Sequence, residues 1–297
     1  MFKTSDKAIR RWAVSGILMV CSMGSALGQT PNDTSALMQA KYLELAPQLA
    51  RNQFQRPLVI ESFESGNAVR GNAYAVINHP FAMVQTAFKD PDNWCEVLIL
   101  HLNTKYCRAE EDRNPPVLAV SIGKKHNQEI KDAYALAFDF KQVNTGADYF
   151  AVRLNSDKGP LDTHNYRIDL KAVPIAGGKT FMHLQYSYGL GMAGRLAMRG
   201  YLSTLGRGKV GFSLLEPDAG GPKKLVDGMR GAVERNTMRY YLAIDAYLAA
   251  PPVEQLEKRL QHWFDATELY PRQLREIDRV AYLSMKRSEY RRQQSVR

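Results

Sequence analysis

Apolar positions along the middle of the chain recur with a period of two. Tyr134, Leu136, Phe138 and Phe140 alternate with Ala135, Ala137 and Asp139, and Phe150, Val152 and Leu154 alternate with Ala151 and Arg153. Tyr166, Ile168 and Leu170 alternate with Arg167, Asp169 and Lys171, and Met182, Leu184, Tyr186 and Tyr188 with His183, Gln185 and Ser187. Such alternation predicts antiparallel strands with one buried face. Leu58–Phe63 and Val69–Ile77 pair around Ser65-Gly66-Asn67, Val97–Tyr106 and Val117–Ile122 add strands, and Lys209–Leu215 gives the last one. Asn144-Thr145-Gly146, Asn155-Ser156-Asp157 and Ala176-Gly177-Gly178 carry turn chemistry between them.

The period changes to helical on either side. Residues 35–52 place Leu37, Tyr42, Leu45 and Leu49 on one face, and Phe81, Val84 and Phe88 follow the stop at Asn78-His79-Pro80. Asp90-Pro91-Asp92-Asn93 breaks that helix before Trp94. Pro222 opens a long helix to Ala249 with Leu225, Met229, Val233, Tyr240, Ile244 and Tyr247 along one side. Beyond residue 252, Val253, Leu256, Leu260, Trp263 and Phe264 form one amphipathic helix. After Pro271, Leu274, Ile277, Ala281 and Leu283 form another, so a helical hairpin is expected over 250–297. Its end carries Lys286, Arg287, Arg291, Arg292 and Arg297 against only Glu289.

The order is helix, two strands, helix, a run of antiparallel strands, then a long helix. It resembles the START-like (helix-grip, SRPBCC) superfamily, which includes lipid-transfer domains, polyketide cyclases and the birch-pollen allergen. The segment Ala73–Cys107 carries the resemblance most directly: a strand enters a proline-started helix, and a tryptophan follows an Asp-rich turn. The likeness spans 34–249 and implies an α+β fold in which an antiparallel sheet wraps round a long C-terminal helix. It also implies an apolar cavity for a hydrophobic small molecule or lipid, lidded by that helix. A cyclase or aromatase using the same cavity is the alternative, as is a scaffold whose basic hairpin binds a partner.

Residues 1–28 read as a secretory leader: Lys3, Lys7, Arg10 and Arg11, an apolar run Trp12–Met23, then Ala26-Leu27-Gly28 as the cleavage site. Bulky Met19-Val20 before Cys21 do not suit a lipoprotein site, and the run after Arg10-Arg11 does not suit a twin-arginine signal. The expected location is therefore periplasmic or secreted. There, Cys95 and Cys107 favour a disulfide, with two buried free thiols as the alternative. Their spacing fits neither zinc nor a CxxC redox site. The net charge is +10; Lys3, Lys7, Arg10 and Arg11 against Asp6 account for three of these, leaving +7 after cleavage. An exported protein meets little nucleic acid, so the basicity reads as affinity for anionic lipid or another polyanion, with simple solubility as the alternative.

Gly189-Leu190-Gly191-Met192-Ala193-Gly194 spells the GxGxxG of dinucleotide sites. Its strand alternates with polar residues, however, whereas a parallel Rossmann strand is buried on both faces, and no βαβ pattern surrounds it. The stretch 189–208 reads instead as a glycine-hinged gate, with a short helix packed on the sheet as the alternative. Met192 and Met198, with Arg195, Arg199 and Arg207, would touch an anionic membrane. HExxH, downstream GxSxG and clustered metal ligands are missing from the sequence, so neither metal nor cofactor is expected. Asn236 interrupts the apolar stripe between Val233 and Tyr240, where a polar group needs a partner in the protein or in a ligand. Glu234 and Arg235, one step off the stripe, suit an ion pair. Asn236, Tyr240, Tyr186, Tyr188 and Trp94 form the expected ligand-binding set.

Overall fold

A computed structural model describes residues 31–204, 206–215 and 222–295 of the chain. The expected leader, Leu205 of the expected gate, and Arg297 lie outside the described residues. Helix α1 (Pro31–Ala50) precedes strands β1 (Leu58–Ser65) and β2 (Ala68–Ile77). Helices α2 (Phe81–Phe88) and α3 (Pro91–Leu98) follow. Six more strands come next: β3 (Thr104–Glu110), β4 (Val117–Ile122), β5 (Tyr134–Thr145), β6 (Phe150–Lys158), β7 (Thr163–Ile175) and β8 (Lys179–Leu190). The remaining helices are α4 (Met192–Ser203), α5 (Gly228–Ala249), α6 (Leu256–Glu268), α7 (Pro271–Leu274) and α8 (Arg279–Gln294).

The eight strands form one antiparallel sheet in the order β1-β2-β8-β7-β6-β5-β4-β3. The N-terminal hairpin joins the last strand over the whole of β2, from Ala68 opposite Gly189 to Ile77 opposite Thr180. Long helix α5 lies in the grip of this sheet. Its approach to β2 is so close that a Cβ on Gly71 would stand 2.3 Å from Thr237 Oγ1 and 3.3 Å from the Val233 carbonyl. The architecture is α+β, with the helix-grip arrangement of sheet round helix.

Period-two alternation sorts the side chains as the sequence predicts. Met182, Leu184, Tyr186 and Tyr188 of β8 face inward into the main core with Val233, Ile244 and Tyr247 of α5. The outer face of the sheet carries a second, smaller cluster of Val59, Tyr74, Val173 and Phe181 beneath Met38, Leu45 and Leu49 of α1. Leu37, expected on that face, is exposed, because the buried register of α1 runs through Met38 instead. His183 lies on this outer side, stacked on Tyr74 with ring centroids 4.3 Å apart.

Several local expectations are corrected. Asp90-Pro91-Asp92-Asn93 starts a helix as well as ending one. The Asp90 carboxylate accepts the Asp92 N–H at 2.9 Å and Pro91 occupies the first turn, so α3 runs through Trp94 to Leu98, into the start of the strand expected over Val97–Tyr106, and β3 begins only at Thr104. Asn155-Ser156-Asp157 lies inside β6, since Asn155, Ser156 and Lys158 remain paired with Arg167, Tyr166 and His164. The segment 209–215 forms no strand and makes only a single bridge, Leu214 with Leu225. The backbone N–H groups of Phe212 and Ser213 donate to the Glu234 carboxylate at 2.5 and 2.9 Å, which withdraws them from any ladder. Residues 222–227 lie against 211–215 in the same way, so α5 begins at Gly228 (φ +57°), not at Pro222, and Leu225 is off the helix. Glu234 takes a third bond from the Ser62 hydroxyl at 2.6 Å, while Arg235 donates to the Val210 carbonyl at 3.3 Å. Both are buried, but not as the expected ion pair.

The C-terminal helices share the main core through Leu260, Trp263, Phe264, Tyr282 and Met285. Arg259 is buried, 2.6 Å from Glu96, and also donates to the carbonyls of Ala250 and Pro252. The expected basic end is largely absorbed into these contacts. Lys286 is fully buried and donates to Glu289 at 2.5 Å and to the Thr104 carbonyl at 2.7 Å; Lys105 shares Glu289 at 2.9 Å. Arg287 pairs with Glu257. Gln293 accepts the Cys107 N–H at 3.1 Å, which places α8 alongside β3. Cys95 and Cys107 are joined in a disulfide that ties α3 to β3.

Candidate functional site

A cavity of about 470 Å³ lies between the concave face of the sheet and α5. Alternation along β4, β5 and β7 aims Val120, Leu136, Phe138 and Ile168 into it. Tyr166, Tyr186 and Tyr188 form an aromatic wall on the neighbouring strands. Tyr166 and Tyr188 stack with centroids 5.3 Å apart, and Tyr186 lies 5.5 Å from Tyr188. Tyr240 closes the wall from α5, 5.2 Å from Tyr186 and stacked on His101 at 4.8 Å. Asn236, one helical turn earlier, also faces the cavity.

Besides Lys124 and Asp132, the polar groups of the walls are neutral side chains. The Tyr166 hydroxyl donates to Thr163 Oγ1 at 3.0 Å. Those of Tyr186, Tyr188 and Tyr240 line the cavity without a hydrogen bond to any described residue. Burial raises the pKa of all three well above the ordinary tyrosine value, so they stay protonated across the physiological range. His101 goes the other way. Burial, reinforced by Arg239, Lys286, Lys125 and Lys105, drives its pKa well below the usual imidazole value. Its Nδ1 accepts the Asn103 N–H at 3.1 Å, which places the proton of the neutral ring on Nε2.

Helix α4 contributes Gly194, Ala197, Met198 and Tyr201 to the cavity lining. Gly191 and Gly194 act here as points of close approach. A Cβ on Gly191 would collide with the Asp162 carboxylate, and one on Gly194 would stand 3.0 Å from the Leu161 carbonyl and 3.1 Å from Thr163 Cγ2. The loop beneath holds Leu161 and Asp162 at φ 54° and 60°, the left-handed region that such side chains rarely adopt. Outward from α4 stand Met192 and Leu196, 83 % and 72 % exposed, flanked by Arg195 and Arg199. Arg207 is exposed in the following turn, and Arg195 bonds Asn67 Oδ1.

The site residues expected from sequence therefore divide. Tyr186, Tyr188, Asn236 and Tyr240 meet on the cavity wall. Trp94 does not. It is 1 % exposed, packs on Phe88 at 5.4 Å and donates Nε1–H to the Phe88 carbonyl at 3.0 Å, because its face of α3 turns toward α2. Met198 separates from Met192: it lies on the inner side of α4 and lines the cavity, with Tyr201 one turn later. Tyr166 and His101 belong to the wall but not to the expected set. The phase of Tyr166 with Ile168 and Leu170 would have found it; nothing local marks His101. Among the described residues, no group of three or more His, Cys, Asp or Glu is placed to hold a metal.

At its polar end the cavity adjoins a charged cluster. Arg239 Nη1 donates to Asn236 Oδ1 at 3.2 Å and Nη2 to Glu276 at 3.0 Å. Lys125 reaches both Glu276, at 2.8 Å, and the Tyr201 hydroxyl, at 3.3 Å. Nearby cations, Lys125 first, hold the Glu276 carboxyl below its usual range against the opposing effect of burial.

No protein-family model and no curated protein sequence matches the chain. Solved structures similar to it include the Zhui aromatase/cyclase from Streptomyces sp. R1128, at 11% identity over 68% of this chain and 96% of that one, with a TM-score of 0.37. Ara h 8.0201 gives 12% identity over 65% and 99%, TM-score 0.36. Norcoclaurine synthase from Thalictrum flavum gives 12% over 50% and 82%, TM-score 0.33. At this level of similarity nothing about ligand or chemistry transfers.

Proposed function

We propose that the protein is an exported carrier that holds a hydrophobic small molecule or lipid in the tyrosine-lined cavity and exchanges it past α4 at an anionic membrane surface. The observation that carries this reading is the cavity itself. An apolar space of about 470 Å³ lies within the roughly 300–1,000 Å³ range of small-molecule sites, which combine apolar walls with a few convergent polar groups. The hydroxyls of Tyr186, Tyr188 and Tyr240 and the amide of Asn236 supply those groups. The exposed methionine and leucine of α4, with arginines on either side, support membrane contact. The leader-like N-terminus and the disulfide support export, and no helix among the described residues is long and apolar enough to cross a membrane. A cyclase reading would need an acid or base titrating near neutrality. The buried tyrosines and His101 are pushed away from it in opposite directions, which favours binding without covalent chemistry.

Native mass spectrometry of the protein purified from its own host tests the reading. A small hydrophobic molecule should co-purify at one per chain and be released on denaturation. Ligand-free protein that also fails to take up any member of a lipid-extract panel would refute it.

A further inference from the structure

The polar end of the cavity holds more positive charge than its own residues balance. Lys125, Lys209 and Arg239 lie 2.8, 4.0 and 3.0 Å from the Glu276 carboxylate. Arg235, buried one turn before Arg239 on α5, adds its charge to the same field. Among the described residues, three cations thus lie within 4.0 Å of one carboxylate, and Arg235 adds to their field. Buried charge is costly unless it is paired, and Arg239 Nε is buried without a hydrogen-bond partner among these residues.

Two donors turn this field toward the cavity. The Asn236 Oδ1 accepts from Arg239, so its NH₂ group points away from the guanidinium. Asn236 lines the cavity, and its NH₂ makes no hydrogen bond with a described residue. The Tyr201 oxygen accepts from Lys125 Nζ, which leaves its O–H to donate, and Tyr201 also lines the cavity. Two donors on the lining of one cavity, each backed by a cation, suit the two acceptor oxygens of a carboxylate.

We propose that this end of the cavity is a head-group site for a single-chain amphiphile carrying a carboxylate, bound by Asn236 Nδ2, Tyr201 Oη and the charge of Lys125, with Glu276 serving as the internal anion of the same cluster. The inference rests on the cavity reading above and adds the chemical class of the ligand. Glu276 sits on the short connection between α7 and α8, so the C-terminal helices help to set the charge that the ligand meets.

Calorimetric titration with dodecanoate, its methyl ester and dodecyl phosphate tests it. In the parent, dodecanoate should bind roughly tenfold or more tighter than the ester, as one charge-assisted hydrogen-bond set gives. Lys125→Gln should abolish most of that ratio while leaving the ester unchanged. Glu276→Gln, which removes the competing carboxylate, should widen the ratio, and dodecanoate should raise the melting temperature of this variant more than that of the parent. Equal binding of acid and ester in the parent, unmoved by either variant, overturns the head-group site and leaves the cavity reading standing. A Lys125-dependent gain seen only with dodecyl phosphate overturns the carboxylate assignment. Binding of none of the three overturns the cavity reading, and the head-group site with it.

Discussion

Acid should weaken this fold well before its carboxylates titrate, and His183 allows the size of the effect to be worked out. The ring stacks on Tyr74 on the outer face of β8, and its Nε2 lies 3.0 Å from Asn72 Oδ1. Burial first, then the charges of Lys171, Lys41 and Arg70, bring its pKa down to about 3. In the unfolded chain the same imidazole takes up a proton near pH 6.5. Between these values the unfolded state binds the extra proton, so stability is present above about pH 6.5 and is lost as the pH falls toward 3. At pH 5 the loss from His183 alone is about 2 kcal/mol, 1.5 pH units at about 1.4 kcal/mol each. His101 adds to it in the same direction. Urea unfolding at pH 8 and pH 5 measures the change in the parent and in His183→Gln. The variant starts from a different stability because it lacks the ring stack, so the readout is the difference between the two pH values within each protein. That difference should be smaller in His183→Gln by about 2 kcal/mol. Equal losses in both proteins would refute the reasoning and place the charged imidazole in a site that tolerates it.

Three further outcomes are expected. Replacing Cys95 and Cys107 by serine reopens a loop closed over 12 residues and should cost about 3 kcal/mol in urea unfolding; an unchanged midpoint would show that the link contributes nothing. Gly194→Val pushes against the Leu161 carbonyl, 3.0 Å from the position of the new Cβ. It should speed release of a bound hydrophobic probe severalfold with little change in melting temperature, whereas unchanged release would mean that α4 does not guard the mouth. Reversing Arg195, Arg199 and Arg207 to glutamate should abolish sedimentation with anionic vesicles, each arginine contributing about 1 kcal/mol near such a surface. Added salt should mimic this in the parent, and a triple variant that still sediments would move the contact elsewhere.

What could be read along the chain was whatever depends on phase within one element. Tyr186 and Tyr188 share the phase of Met182 and Leu184, and Asn236 and Tyr240 share one side of α5, so their meeting on one wall follows from periodicity. Composition alone groups Met192 and Met198 on one apolar surface, yet six positions along a helix place them on different sides. Trp94 packs away from the wall because the proline and aspartates before it cap α3, and the phase of that helix decides where the indole points. The charges were least legible. Lys286 looks solvated until Thr104 and Glu289 are seen around it. Glu276 meets partners from positions 125, 209 and 239, which no local pattern joins. Segment 209–215 has strand composition but gives its N–H groups to a side chain, Glu234, from a helix not yet reached in sequence.

The placement of α8 against β3 bears on how one edge of the sheet is covered. β3 ends the sheet order and pairs only with β4, and an open strand edge is a template on which another chain can add. Here the side chains of α8 occupy that template. Gln293 takes the Cys107 N–H, and Lys286 and Arg292 take the carbonyls of Thr104 and Lys105. The C-terminal helix thereby acts as a plug against edge-to-edge polymerisation. Loss of its last turns, by proteolysis or by a fusion that draws α8 away, would bare the N–H and carbonyl groups of β3 and make that edge a nucleus for aggregation.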